Sequence, residues 1–293
     1  MRAGKGSRWH AVCRAAAWFT RPAGRLAMVS ALAVTVVMTV TPANGAATDI
    51  TSHAATAILG SDTAGRDTAG SSTETKTGVS FTGTAAVGAL FTTRNGKLSN
   101  HFCTASVVHS PAGDLAITAA HCMTNVAAPV VFVPGYHDAK APYGVWQVTR
   151  FYVDQAWTAS KNQDDDVAFV KLARAGSAVP IEDITGAETL ATGTSVKQKV
   201  HVIGYPDGQN EPVICANWTS QPVPDQLEFD CGGYPDGTSG GPFLADISAS
   251  TGQGTLIGVI GGLEQGGDTP QVSYSIQFGA KVASLYQQAV AGG

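Results

Sequence analysis

From Ala85 onward, apolar runs of six to eight residues recur between clusters of glycine, proline, asparagine and aspartate. Runs this short, bounded by turn residues, predict an all-β chain rather than alternating strands and helices. The first half offers AAVGALFT, HFCTASVV, LAITAA, PVVFVPGY, WQVTRFYV and DVAFVKL. The second offers KVHVIGYP, PVICANW, QLEFDC, GPFLADI, LIGVIGG and VSYSIQF. Between them, ARAGSAVPIEDITGAETLATGTS has little pattern and reads as a connector. The final AKVASLYQQAV places Val282, Leu285 and Ala289 on one helical face. The expected architecture is two six-stranded antiparallel barrels, over about 79–175 and 190–293, the second followed by a C-terminal helix.

The pattern changes upstream. Residues 48–78 are Thr, Ala, Gly, Ser and Asp with hardly a large apolar side chain, so burial cannot offset the entropy of ordering them. A linker or pro-segment is expected there. Residues 1–25 carry six arginines or lysines, Leu26–Val40 is an apolar stretch, and Ala43-Asn44-Gly45 offers small residues for cleavage. Residues 1–47 therefore read as a signal peptide, since a membrane span needs about 20 apolar residues. The expected location is extracellular, with no membrane contact after the signal is removed.

That compartment is oxidising, which gives the cysteines meaning. Cys13 leaves with the signal, and Cys103, Cys122, Cys215 and Cys231 remain. Four allow three pairings, of which nearest neighbours favour Cys103 with Cys122 and Cys215 with Cys231. Each would close a loop of roughly 15 to 20 residues, worth about 3 kcal/mol in the chain-entropy model. No CxxC pair accompanies histidines, so no metal site is expected. With 18 basic and 22 acidic residues, a net charge of −4 and only 14% charged residues, the chain has no basic surface for nucleic acid.

Three motifs carry candidate chemistry. TAAHC puts His121 just after a strand, DVAFVKL puts Asp166 at the mouth of another, and GTSGGPF sets Ser239 among glycines in the second half. Taken singly, each has a mundane reading: a surface histidine, a solvated run of aspartates, a glycine turn. Their order His, Asp, Ser is one of the known orders of a nucleophilic triad, and an esterase of the α/β type needs a different one. A serine hydroxyl is a weak nucleophile near neutral pH, so His121 would take its proton and Asp166 would orient the imidazole. Asp164 and Asp165 are adjacent alternatives one or two residues away.

FCTASVV ahead of TAAHC, with DVAFVKL, GTSGGP and GVIGG, resembles the trypsin-like (chymotrypsin-fold) serine peptidases. The likeness is to the bacterial secreted branch near the glutamyl endopeptidases, and it extends over about residues 80–290. It implies two perpendicular barrels with the active site between them, a polypeptide substrate, no cofactor and a monomer. It also implies an oxyanion hole from the N–H groups of Gly237 and Ser239. The alternative is a catalytically inactive secreted binding protein on the same fold.

The resemblance places the substrate pocket at Gly233, Ile260, Gly261, Gly262 and Val272. An aspartate for binding Lys or Arg would stand at Gly233, and a histidine for binding Glu would stand at Ile260. Small or apolar side chains are therefore expected, unless Asp236, Glu264 or Asp268 turns inward. Vertebrate relatives pair a newly cut amino terminus with an aspartate before the serine, where this chain has Thr238. That switch is expected to be absent, with Thr238 hydrogen-bonded locally instead.

Overall fold

The computed structural model describes residues 76–292, all of which lie in the unit Thr48–Gly293. The expected signal peptide and residues 48–75 of the expected linker lie outside the described residues. A short β1 (Val79–Ser80) precedes the first barrel, formed by β2 (Val87–Arg94), β3 (Lys97–Val107), β4 (Leu115–Thr118), β5 (Val130–Pro134), β6 (Trp146–Val153) and β7 (Ala168–Ala173). These six strands close in the order β2-β3-β4-β7-β6-β5, with every neighbour antiparallel. Asn95 and Gly96 turn β2 into β3, both with positive φ. Those angles give a two-residue turn the twist that matches paired strands.

The second half contains β8 (Thr189–Leu190), β9 (Lys199–Gly204), β10 (Val213–Val223), β11 (Gln226–Asp230), β12 (Pro242–Ala245), β13 (Thr255–Val259) and β14 (Val272–Ile276). The path runs β14-β11-β10-β9-β12-β13-β8, and β1 adds to β10. All six expected strands are present as β9 to β14. The sheet nevertheless has eight strands, because the connector supplies β8, parallel to β13, and β1 adds to β10. Two-residue strands leave no alternation to detect in a sequence. Beyond the end of β13 the chain comes beside β14, where the Gly261 N–H donates to the Tyr274 carbonyl at 3.0 Å. Phe229 and Phe243 fill the interior, fully buried with centroids 5.6 Å apart.

Three short helices escape the sequence pattern because none completes two turns: α1 (Ala120–Thr124), α2 (Gln155–Ser160) and α3 (Glu182–Thr185). The last helix, α4 (Ala280–Ala291), buries Val282, Leu285 and Ala289, the three residues that its spacing predicts. It leaves the second half and packs on β6 and β7 of the first barrel, where Tyr286 meets Phe169 edge-on at 5.6 Å. One buried cluster accordingly joins Val87 and Phe169 of the first barrel to Ile203, Tyr205 and Leu285 beyond it. The two halves share a core, which fixes the cleft between them.

Glu188 lies fully buried where the connector crosses this junction. Its Oε2 accepts from the Gly254 N–H at 2.6 Å, and its Oε1 has no partner among the described residues. Burial pushes this carboxyl up from 4.5 to about 8, against the opposing Gly254 hydrogen bond. The folded state thus holds a proton that the unfolded chain releases earlier. Stability from this group is full below about 4.5 and is lost as pH rises towards about 8. Glu188→Gln keeps an acceptor and cannot ionise, so its melting temperature should fall less over that interval than the wild type's. Parallel melting curves across the interval would refute this account.

Candidate active site

The site is built where strands of the two halves end beside each other. After β4 the chain turns into α1, which carries His121, and Cys122 is tied back to Cys103 on β3 by a disulfide with a Cα–Cα distance of 6.2 Å. Cys215 and Cys231 form the second disulfide, at 6.6 Å. These are the pairings that nearest neighbours favour. The sulfurs of Cys103 and Cys122 lie within 4.8 Å of a His121 ring nitrogen, a grouping that could suggest a metal. Their mutual bond leaves no thiolate for an ion.

Of the three consecutive aspartates, only Asp166 reaches His121. Asp164 accepts from Gln226, and Asp165 is paired with Lys281 of α4 at 2.8 Å. Asp166 has no exposed surface, a costly state for a carboxylate unless donors surround it. It finds three: Oδ1 accepts from the His121 backbone N–H at 2.9 Å, while Oδ2 accepts from His121 Nδ1 at 2.8 Å and from the Gly262 N–H at 3.0 Å. Because a carboxylate only accepts, the neutral imidazole carries its proton on Nδ1 and presents Nε2 as the acceptor. The bond from Gly262 comes from the second half.

Ser239 sits on the loop between β11 and β12. Gly237 and Gly240 on either side have φ of 91° and 82°. A Cβ on Gly240 would lie 2.1 Å from Thr118 Oγ1 and 2.2 Å from the Thr104 carbonyl. Only glycine fits so close to the first barrel. Thr238 is buried and its hydroxyl donates to the Pro235 carbonyl at 2.7 Å, the local bond that the sequence leads one to expect.

Thr104, which sequence reading passed over inside FCTASVV, holds the Ser239 loop against the first barrel. Its N–H donates to the Ser239 carbonyl at 2.7 Å and its hydroxyl to the Gly237 carbonyl at 3.1 Å. The same hydroxyl accepts from the Tyr205 N–H at 2.8 Å, and the Thr104 carbonyl accepts from Thr118 Oγ1 at 2.7 Å. A threonine in a strand gives no signal of such a role, since Tyr205, Gly237 and Ser239 lie about a hundred residues away or more. With both carbonyls engaged, the Gly237 and Ser239 N–H groups have no hydrogen-bond partner among the described residues. His121 Nε2 and Ser239 Oγ are likewise unpartnered there and make no hydrogen bond to each other. Apo sites often close that contact only when substrate binds.

His121, Gly237 and Ser239 line one cleft of about 760 Å³, with walls from both halves. Of the residues expected to form the pocket, Ile260 lines this cleft. Gly233, Gly261, Gly262 and Val272 are not among its lining residues, and Gly262 serves Asp166 instead. Asp236, Glu264 and Asp268 all line it, and no lysine or arginine does among the described residues. Glu264 and the neighbouring Gln265 both hold positive φ in this wall.

The fold and the cleft define a serine peptidase of two β-halves. Comparison with protein families matches residues 103–259 to the trypsin-like peptidase domain, and the chain belongs to that family of serine endopeptidases. Among solved structures, it is similar to protease Anisep from Arthrobacter nicotinovorans, with a TM-score of 0.62 and 23% identity over 72% of this chain and 98% of that one. The thermostable serine protease AL20 from an extremophilic microorganism gives 0.62 and 23%, over 72% and 99%. A Glu endopeptidase in complex with MPD gives 0.57 and 18%, over 74% and 97%. At these identities the likeness establishes the chymotrypsin-like fold. No curated protein matches the sequence significantly.

Thr104→Val keeps shape and removes the hydroxyl, stranding the Tyr205 N–H and the Gly237 carbonyl. Each stranded buried group costs about 1–3 kcal/mol. Urea denaturation should register the loss and peptide turnover should fall with it. Unchanged stability together with unchanged turnover would remove Thr104 from the assembly of the site.

Proposed function

We propose that this protein is a secreted serine endopeptidase acting through His121, Asp166 and Ser239. The observation that carries the reading is a serine whose own N–H and that of Gly237 have no partner among the described residues, in one cleft with a histidine whose tautomer a buried carboxylate fixes. Ser239 Oγ attacks the peptide carbonyl while its proton passes to His121 Nε2. The developing oxyanion takes hydrogen bonds from the Gly237 and Ser239 N–H groups, donors of a kind each worth about 3–4 kcal/mol. His121 then gives its proton to the leaving amine, leaving an acyl-enzyme on Ser239. Water, deprotonated by the same Nε2, releases the acid and returns the proton to Ser239. Asp166 orients the ring throughout and stabilises the imidazolium. No step calls for a metal or organic cofactor.

Secretion is supported by the two disulfides, which persist in oxidising surroundings. No helix among the described residues is long and apolar enough to cross a membrane. The signal peptide, the monomeric state and the lack of nucleic-acid binding belong to the same proposal. A binding protein on this fold has no need of a desolvated Asp166 or of free amides beside Ser239, which favours catalysis.

The Ile260 wall suits a small or apolar side chain before the scissile bond, whereas Asp236, Glu264 and Asp268, whose inward turn would admit a basic one, line the same cleft. Ile260 contributes a buried apolar surface to the cleft. Three carboxylates and no lysine or arginine along the lining disfavour acidic residues in particular.

Ser239→Ala should fold and be exported normally while losing peptide hydrolysis by several orders of magnitude. Near wild-type turnover in that variant would exclude Ser239 from the mechanism. Profiling on a peptide library should return small and apolar residues at the cleaved position; dominance of Glu would contradict the pocket assignment, and dominance of Arg or Lys would replace Ile260 with Asp236, Glu264 or Asp268 as the group that reads the side chain.

A further inference from the structure

The last three residues of the expected linker, Lys76–Gly78, are built into the fold. The Gly232 N–H donates to the Lys76 carbonyl at 2.7 Å, and the Gly78 N–H donates to the Gly232 carbonyl at 2.7 Å. Thr77 stands opposite Gly232 in a parallel bridge. Lys76 Nζ reaches the Ala216 carbonyl at 3.0 Å, and β1 continues along β10. Gly232 is thereby bracketed on its N-terminal-segment side. On the other flank the Cys231 and Tyr234 N–H groups donate to the carbonyls of Gln271 and Pro270, each at 3.0 Å.

What is held between these two flanks leads straight to the nucleophile. Gly232 and Gly233 are consecutive glycines, the second with φ of 95°, and such a pair has little intrinsic preference for one path. Tyr234 to Ser239 follow at once, and all six line the cleft. Without Lys76–Gly78, both polar backbone groups of Gly232 lose their partners. The hinge into the nucleophile loop is then anchored from one side only. A newly cut terminus would find no charged replacement, because Thr238 is neutral and already bonded to Pro235.

We propose that Lys76–Gly78 is a positioning segment for the Gly237–Ser239 loop, and that any maturation cleavage in an active enzyme falls before Lys76. This rests on Ser239 being the nucleophile. The segment acts by adding a strand edge to Gly232, as added strands do in peptide recognition. Its contribution is geometric, since small displacements of reacting groups cost up to about a hundredfold in rate.

Gly78→Pro removes the donor to Gly232, whereas Gly78→Ala retains it with a methyl group no closer than 3.4 Å to its surroundings. Gly78→Ala should keep wild-type kcat, and Gly78→Pro should lose about tenfold to a hundredfold in kcat per folded molecule, with a smaller change in KM. A chain beginning at Lys76 should match the full chain, and one beginning at Val79 should share the loss. A merely structural strand would lower the folded fraction and leave kcat per folded molecule alone. Equal kcat in the Val79 chain, equal loss in Gly78→Ala, or an active secreted species whose first residue lies beyond Gly78 would each overturn the proposal. Hydrogen exchange over 232–239 should quicken in Gly78→Pro and in the Val79 chain, and unchanged exchange in both would also refute the proposal. Exchange needs no turnover, so a full chain that cleaves no peptide would count against Ser239 as nucleophile and leave the positioning claim to be decided by exchange.

Discussion

A carboxylate without exposed surface must be satisfied by its neighbours or it will not stay charged, and Asp166 draws its donors from both halves of the molecule. His121 contributes its backbone and ring N–H groups from one side, and Gly262 contributes its backbone N–H from the other. The halves must therefore meet in one relative placement for this group to be tolerated. The same constraint fixes the imidazole, because the oxygen bound to Gly262 is the one bound to Nδ1.

Thr104 supplies the second tie across the junction, and it works in the opposite direction. Where Gly262 reaches into the first barrel, Thr104 reaches out of it to hold the carbonyls of Gly237 and Ser239. Fixing those carbonyls leaves the Gly237 and Ser239 N–H groups without partners among the described residues. The cleft is thus shaped by ordinary backbone satisfaction: groups that could be paired are paired, and those left over line the space where substrate binds. The shared core and the return of α4 onto β6 and β7 give these few hydrogen bonds a stiff support.

The twelve main strands and α4 were legible because their periodicity is local and repeated. His121, Asp166 and Ser239 are legible as motifs, and of the three consecutive aspartates Asp166 is the one hydrogen-bonded to His121. What escaped was non-local or too short. Thr104 acts on residues more than a hundred positions away, β8 spans two residues, and Lys76–Gly78 resembles the low-complexity segment before it. The pocket was only partly legible. Gly262 lies two residues after Ile260, yet its N–H bonds Asp166 while Ile260 lines the cleft, a division that tertiary contact decides and composition does not.

The account stands on Ser239 being activated by a histidine that Asp166 holds. Its most direct test is the site and rate of modification by a fluorophosphonate, followed by peptide mass spectrometry of the native protein, the heat-unfolded protein and Asp166→Asn. The account predicts a single adduct on Ser239 in the native protein, none after unfolding, and much slower labelling in Asp166→Asn. An adduct on another residue, or equal labelling of Ser239 in all three samples, would contradict it.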